Sequence, residues 1–206
     1  MDFLLAVLSL PGMFAGEVEC LEALLAAGVQ RLHLRKPAAG PGELEALVER
    51  LAPRYGDRLV LHGGQARELA LRYGVRNVHG SVAYRDGGGI SGGGPMVDGS
   101  GLAVSTSVHS WEEFGKLPKG LAYVFISPVF DSISKQGYGA NVGLLRRPEG
   151  LSGVAVGLGG VGEETIGTLL DYGWTGAAVL GWIWKEPKRA VERFGELQKI
   201  IDDRKR

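Results

Sequence analysis

Three groups of residues in this chain have side chains and spacing suited to chemistry on a phosphorylated ligand. Ser132, Ser134 and Lys135 place two hydroxyls and an ammonium within four residues, and each can donate a hydrogen bond to an anionic oxygen. Gly157-Leu158-Gly159-Gly160 clears side chains from a stretch where backbone N–H groups could close on an anion, and Val179-Leu180-Gly181 ends a second apolar run similarly. The third group is the set of 4 histidines, His33, His62, His79 and His109, with Arg35 two residues beyond the first. Imidazole titrates near neutrality and can accept a proton and return it. Each group also has a plain structural reading, as a polar loop, a tight turn or a hydrogen-bonded core histidine. None of the histidines stands at a spacing typical of a zinc motif, so no metal ligands are assigned.

The chemistry-bearing residues fall where apolar runs stop. Short β-branched, aromatic or leucine-rich segments predict strands at Phe3 to Ser9, Arg31 to Arg35, Leu59 to His62, Arg76 to His79, Leu102 to Thr106, Tyr123 to Ile126, Val154 to Leu158 and Ala177 to Leu180. Between them, helical spacing predicts helices at Val18 to Ala27, Pro41 to Leu51, Gln65 to Tyr73, Trp111 to Lys116, Glu163 to Tyr172 and Pro187 to Ile201, with Ser110 capping the fourth. No helix is evident in the glycine-rich stretch from Val82 to Ser100. A weakly ordered span is expected around Arg146 to Glu149.

Eight strands alternating with helices predict an α/β protein, a (β/α)8 TIM barrel formed as a single domain over residues 1–206; an open doubly wound sheet is the alternative. In a barrel, the strand ends that carry the histidines, Arg35 and the glycines meet on one face. Arg35, His109, Lys135 and Gly160 are therefore expected to share one cavity.

Composition narrows the partner. Lys plus Arg and Asp plus Glu are both 23, so no positive excess argues for nucleic acid or an acidic membrane surface. A small molecule is expected instead. The single cysteine, Cys20, sits beside Leu21 and Leu24 and reads as a structural thiol, which fits a reducing cytoplasm. The apolar N-terminal run carries Asp2 where a signal peptide has basic residues, and no stretch is long enough to span a bilayer.

Taken together, LHLRK (32–36), STSVHSWEE (105–113), SPVFDSISK (127–135), GLGG (157–160) and AAVLG (177–181) resemble the thiamine phosphate synthase family and its TenI-type thiazole tautomerase branch. The likeness runs from Phe3 to about Ile201. It implies a homodimeric barrel of thiamin biosynthesis that binds thiazole phosphate. Gly159, Gly160, Leu180 and Gly181 match the positions that hold that phosphate, and Arg35, Ser132, Ser134 and Lys135 match a pyrophosphate site. Ser107 matches a serine near the reacting groups, and His109 matches the catalytic histidine of the tautomerases.

The chain departs from the synthase pattern at the metal. Synthase aspartates that hold magnesium on pyrophosphate are replaced by His62-Gly63-Gly64 and His79-Gly80-Ser81, with no acid until Asp86. His33 stands where the family has glutamine, and Lys36 comes one residue earlier than the family's lysine; both are expected, with His62 and His79, among the substrate- and phosphate-binding residues. Magnesium requires hard oxygen ligands. The resemblance therefore points to a tautomerase-like isomerase for which no cofactor is assigned, with His109 as acid/base and Ser107 beside it. Thiamine phosphate synthase activity using Mg²⁺, and a phosphate-binding paralogue without turnover, are the alternatives.

Overall fold

The computed structural model describes residues 2–40, 42–80, 100–131 and 142–205. Eight strands form a closed barrel in sequence order: β1 (Leu4–Leu8), β2 (Arg31–Leu34), β3 (Leu59–His62), β4 (Asn77–His79), β5 (Ala103–Val108), β6 (Tyr123–Ile126), β7 (Ala155–Leu158) and β8 (Gly176–Val179). Every neighbouring pair is parallel, and β8 closes on β1 through registers such as Leu5 with Ala177. This is the (β/α)8 barrel rather than the open sheet. The outer helices are α1 (Glu17–Ala26), α2 (Glu43–Tyr55), α3 (Ala66–Tyr73), α4 (Trp111–Lys116), α5 (Val142–Leu145), α6 (Glu163–Asp171), α7 (Gly181–Trp184) and α8 (Ala190–Arg204).

Alternation along the strands sends successive side chains to opposite faces. Outward residues such as Leu5, Leu32, Leu61, Val104, Ile126 and Val179 join the helices in one large apolar cluster. Fully burying each such side chain contributes about 1.5–3 kcal/mol. Inward residues divide by composition. Ala6, Leu8, Tyr123, Phe125, Val156 and Ala178 form a separate apolar cluster on the β6–β1 side. Across the barrel, His33, His62, His79, Ser105 and Ser107 belong to β2 through β5. The interior is thus half hydrocarbon and half hydrogen-bonding groups.

Glycine is required where a Cβ would collide. At Gly176 it would lie 2.7 Å from the Leu4 carbonyl oxygen, so the β1–β8 seam closes only without a side chain there. Ser110 caps α4 as expected: its hydroxyl accepts from the Glu113 N–H at 3.0 Å, and the Glu113 carboxylate accepts from the His109 N–H at 3.0 Å.

Besides shifted ends, such as β5 reaching Val108 and a 3₁₀ turn at Pro187–Arg189 before α8, the elements differ from expectation in three places. Helix α2 continues past Leu51 through Pro53, which lies near its end, to Tyr55, a buried ring covered by the Arg58 guanidinium. Two four-residue helices, α5 and α7, are too short for a 3.6-residue apolar period to register in sequence. Tryptophans pin both regions: Trp111 and Trp174 donate to the Leu144 and Leu145 carbonyls at 3.0 and 2.8 Å, and Trp184 donates to the Leu8 carbonyl at 2.6 Å. No helix among the described residues is long and apolar enough to cross a membrane.

Candidate active site at the barrel mouth

A cavity of about 1180 Å³ opens at the C-terminal ends of the strands. Arg35, His62, His79 and Ser107 line it on the polar side, and Leu158, Gly159, Gly160, Leu180 and Gly181 line it from β7 and β8. Phe125 and Ala178 expose the apolar interior to it. The topology explains this convergence, because parallel strands deliver all eight C-terminal ends to one rim.

The imidazoles are joined by hydrogen bonds rather than scattered. His33 lies at 0% exposure beneath the cavity. Its Nε2 is 2.7 Å from the Tyr123 hydroxyl, and its Nδ1 is 2.8 Å from His62 Nε2. His79 bridges two hydroxyls, with Nδ1 and Nε2 each 2.9 Å from Ser105 Oγ and Ser107 Oγ. His62 and His79 are register partners, and their rings stack with centroids 4.3 Å apart and planes 17° apart.

These surroundings favour neutral rings. Burial, followed by the nearby His62, His79 and Arg31, holds His33 well below the usual histidine range. Burial, then His79 and Arg35, does the same to His62. Burial and Arg35 bring His79 down to about 4. Burial also raises the Tyr123 phenol, so it remains a proton-bearing donor at neutral pH.

The three histidines offer donor atoms within 4.8 Å of one another, the described set closest to a metal-ligating arrangement. Their present geometry serves hydrogen bonding instead. Lone pairs lie in the ring planes, so nearly parallel stacked rings do not aim at one point. Magnesium fits the described lining less well still. Its carboxylate, Glu45, is held by Arg72 at 2.6 Å and Tyr73 at 2.8 Å, and His62-Gly63-Gly64 and His79-Gly80 supply no hard oxygen side chain.

The remaining candidates are placed as follows. Arg35 borders the cavity, and no carboxylate among the described residues pairs with its guanidinium. Lys36 also borders it, but its ammonium bonds Glu17 and the Gly12 carbonyl, both side chains of that ion pair being almost fully buried. His109 is exposed and is not among the lining residues. Its Nδ1 lies 2.8 Å from the carbonyl oxygen of Ser127, which does line the cavity. A carbonyl only accepts, so Nδ1 is the nitrogen that donates and Nε2 is the one left to exchange a proton. Ser132, Ser134 and Lys135 lie outside the described residues. Of the four residues expected to share one cavity, Arg35 and Gly160 do so, His109 stands beside it, and Lys135 is not described.

Gly159 and Gly160 have a packing role whatever they bind. Both have positive φ, 99° and 63°, and a Cβ at Gly160 would lie 2.3 Å from the Asp131 carbonyl oxygen. They let the loop after β7 lie against the loop after β6, where Val129 N–H donates to the Leu158 carbonyl at 3.0 Å.

Sequence reasoning did not assign Tyr123, Phe125 or Ser105 to the site. The available signal was alternation: Tyr123 and Phe125 share one face of β6, and their register partners Ser105 and Ser107 share the same face of β5. Which face is the interior follows only from barrel closure.

A family model described as thiamine monophosphate synthase matches residues 11–183. No curated protein matches the chain. Among solved structures, thiamine phosphate pyrophosphorylase from Bacteroides thetaiotaomicron is 24% identical, with a TM-score of 0.69 and 98% of each chain covered. Thiamine phosphate pyrophosphorylase from Pyrococcus furiosus is 19% identical, with a TM-score of 0.70, covering 97% of this chain and 95% of its own. A 3-hexulose-6-phosphate synthase shares the fold at 17% identity and a TM-score of 0.70, with 95% and 98% coverage.

Proposed function

The chain belongs to the thiamine monophosphate synthase family, and from that premise we propose that it is a TenI-type tautomerase-like enzyme moving a proton on a thiazole carboxylate phosphate. The observation that carries this reading is the lining of the cavity. It presents His62-Gly63-Gly64 and His79-Gly80 in the places where magnesium-assisted coupling would need carboxylates, beside Arg35 and Ser107.

In this reading the ligand's phosphate lies against Gly159, Gly160, Leu180 and Gly181, whose backbone forms the β7–β8 side of the cavity. Arg35 adds a cationic fork from just beyond the end of β2. The heterocycle then faces the imidazoles, with Phe125 beneath it. His109 Nε2 accepts the proton from one ring position and returns it to another, its tautomer set by the Ser127 carbonyl. Ser107, bonded to His79 at 2.9 Å, supplies a hydroxyl near the reacting atoms.

The test is conversion of the thiazole carboxylate phosphate tautomer to its aromatic isomer, followed by NMR. Wild-type protein should convert it, and His109→Ala should not. Magnesium-dependent pyrophosphate release from pyrimidine pyrophosphate and thiazole phosphate would instead establish a synthase. Binding of thiazole phosphate without either reaction would establish a binding paralogue.

A further inference from the structure

Building on the proton-transfer reading, we propose that Tyr123 and His33 form a buried orienting chain that sets His62 as a neutral Nδ1–H donor to an anionic heteroatom of the bound ligand. Tyr123 and His33 are positioning residues, while His62 is the group that meets the ligand.

The hydrogen-bonded chain begins at its buried end. Tyr123 is 3% exposed, and its hydroxyl is 2.7 Å from His33 Nε2. A phenol is a stronger acid than a neutral imidazole N–H, and an imidazole nitrogen is a stronger base than a phenol oxygen. The O–H therefore donates and His33 Nε2 accepts. A neutral His33 must then carry its proton on Nδ1, which lies 2.8 Å from His62 Nε2. That N–H donates, and His62 Nε2 accepts.

His62 is left with its proton on Nδ1, the ring nitrogen that no described residue bonds. Unlike His33, His62 lines the cavity. The same burial that keeps both rings neutral prevents the chain from storing a proton. His62 therefore acts by hydrogen bonding rather than by proton donation. When the base withdraws a proton from the ligand, negative charge spreads to its heteroatoms, and a preorganised neutral donor stabilises that charge without reorganisation. Negative charge on the ligand also meets Arg35, the cation that acts on both His62 and His79.

The experiment is ¹⁵N NMR of the imidazoles at pH 7, combined with isomerisation kinetics, on the full-length protein. Wild type should show His62 protonated on Nδ1 and bare on Nε2. Tyr123→Phe, which keeps the ring, should leave His62 a mixture of tautomers and lower kcat about tenfold, with KM changed less than about twofold. His62→Leu should lose about a hundredfold in kcat, and His62→Gln, which restores an N–H donor, should recover part of it. A His62 protonated on Nε2 in wild type, a tautomer unmoved by Tyr123→Phe, or full turnover by His62→Leu would each overturn the proposal. If wild type does not isomerise, the enzyme reading fails separately. The donor role is then read from the His62 Nδ1 signal on adding thiazole phosphate carboxylate: a shift supports it, and an unmoved signal overturns it.

Discussion

His62 and His79 face one another across the β3–β4 ladder with their rings stacked 4.3 Å apart, above the fully buried His33. Two adjacent cations at this spacing, beside Arg35, would repel strongly. The barrel mouth is therefore built for neutral histidines.

This arrangement makes stability depend on pH. All three rings have folded pKa values below the unfolded 6.5, His79 at about 4. Between the folded and unfolded values the unfolded chain binds more protons, so stability rises with pH there. The contribution is complete above pH 6.5 and is lost as pH falls toward 4, with His79 alone accounting for about 3 kcal/mol of it. Thermal unfolding should show Tm falling steadily from pH 7 to pH 4.5. His79→Gln should flatten that slope; an unchanged slope would show that His79 titrates normally in the fold.

Arg35 should serve the ligand rather than the fold. Among the described residues no carboxylate pairs with its guanidinium. Arg35→Met should leave Tm within about 1 °C and weaken thiazole phosphate binding by about 1.5–3 kcal/mol, roughly 10- to 150-fold. Calorimetry measures it, and undiminished affinity would place the anion elsewhere.

Lys36 should behave in the opposite way. Its ammonium and the Glu17 carboxylate form a buried pair, with side-chain exposures of 0% and 1%. Lys36→Met alone should destabilise by about 3–5 kcal/mol, because it strands a buried carboxylate. The double variant Lys36→Met/Glu17→Leu should recover most of that loss and bind thiazole phosphate as wild type does. Lost affinity in a stable double variant would return Lys36 to the phosphate.

Gly160→Ala should be far more damaging than its size implies. A Cβ there meets the Asp131 carbonyl oxygen at 2.3 Å on a residue with φ of 63°. The loops after β6 and β7 would have to separate, costing about 1–3 kcal/mol in stability and weakening ligand binding as well. Denaturant unfolding together with calorimetry measures both; loss of binding at unchanged stability would assign the glycine to the ligand alone.

Local information was enough for the order of the elements. Apolar runs at Leu59–His62 and Tyr123–Ile126, and the Ser110 cap with Glu113 three residues on, depend on neighbours in sequence, and the strands and helix appear there. The residues gathered at the strand ends were legible for the same reason, since parallel pairing sends every C-terminal end to one rim. Short helices α5 and α7 were not legible, because what holds them is tertiary: Trp111 and Trp174 bond the end of α5, and α7's own Trp184 bonds the Leu8 carbonyl.

What the chain's own order of residues determined was an eight-unit alternation with imidazoles, Arg35 and paired glycines at the ends of its strands. Only closure of the barrel decided which of those groups meet. It placed Tyr123 against His33, 90 positions away, and tied Lys36 to Glu17 instead of leaving its ammonium free. It also set His109 beside the cavity, bonded to the lining residue Ser127 rather than in the lining itself. The physical reason is that propensity and spacing act over a few residues, whereas the hydrogen-bond partner of a buried polar group is whatever the fold carries to within about 3 Å of it.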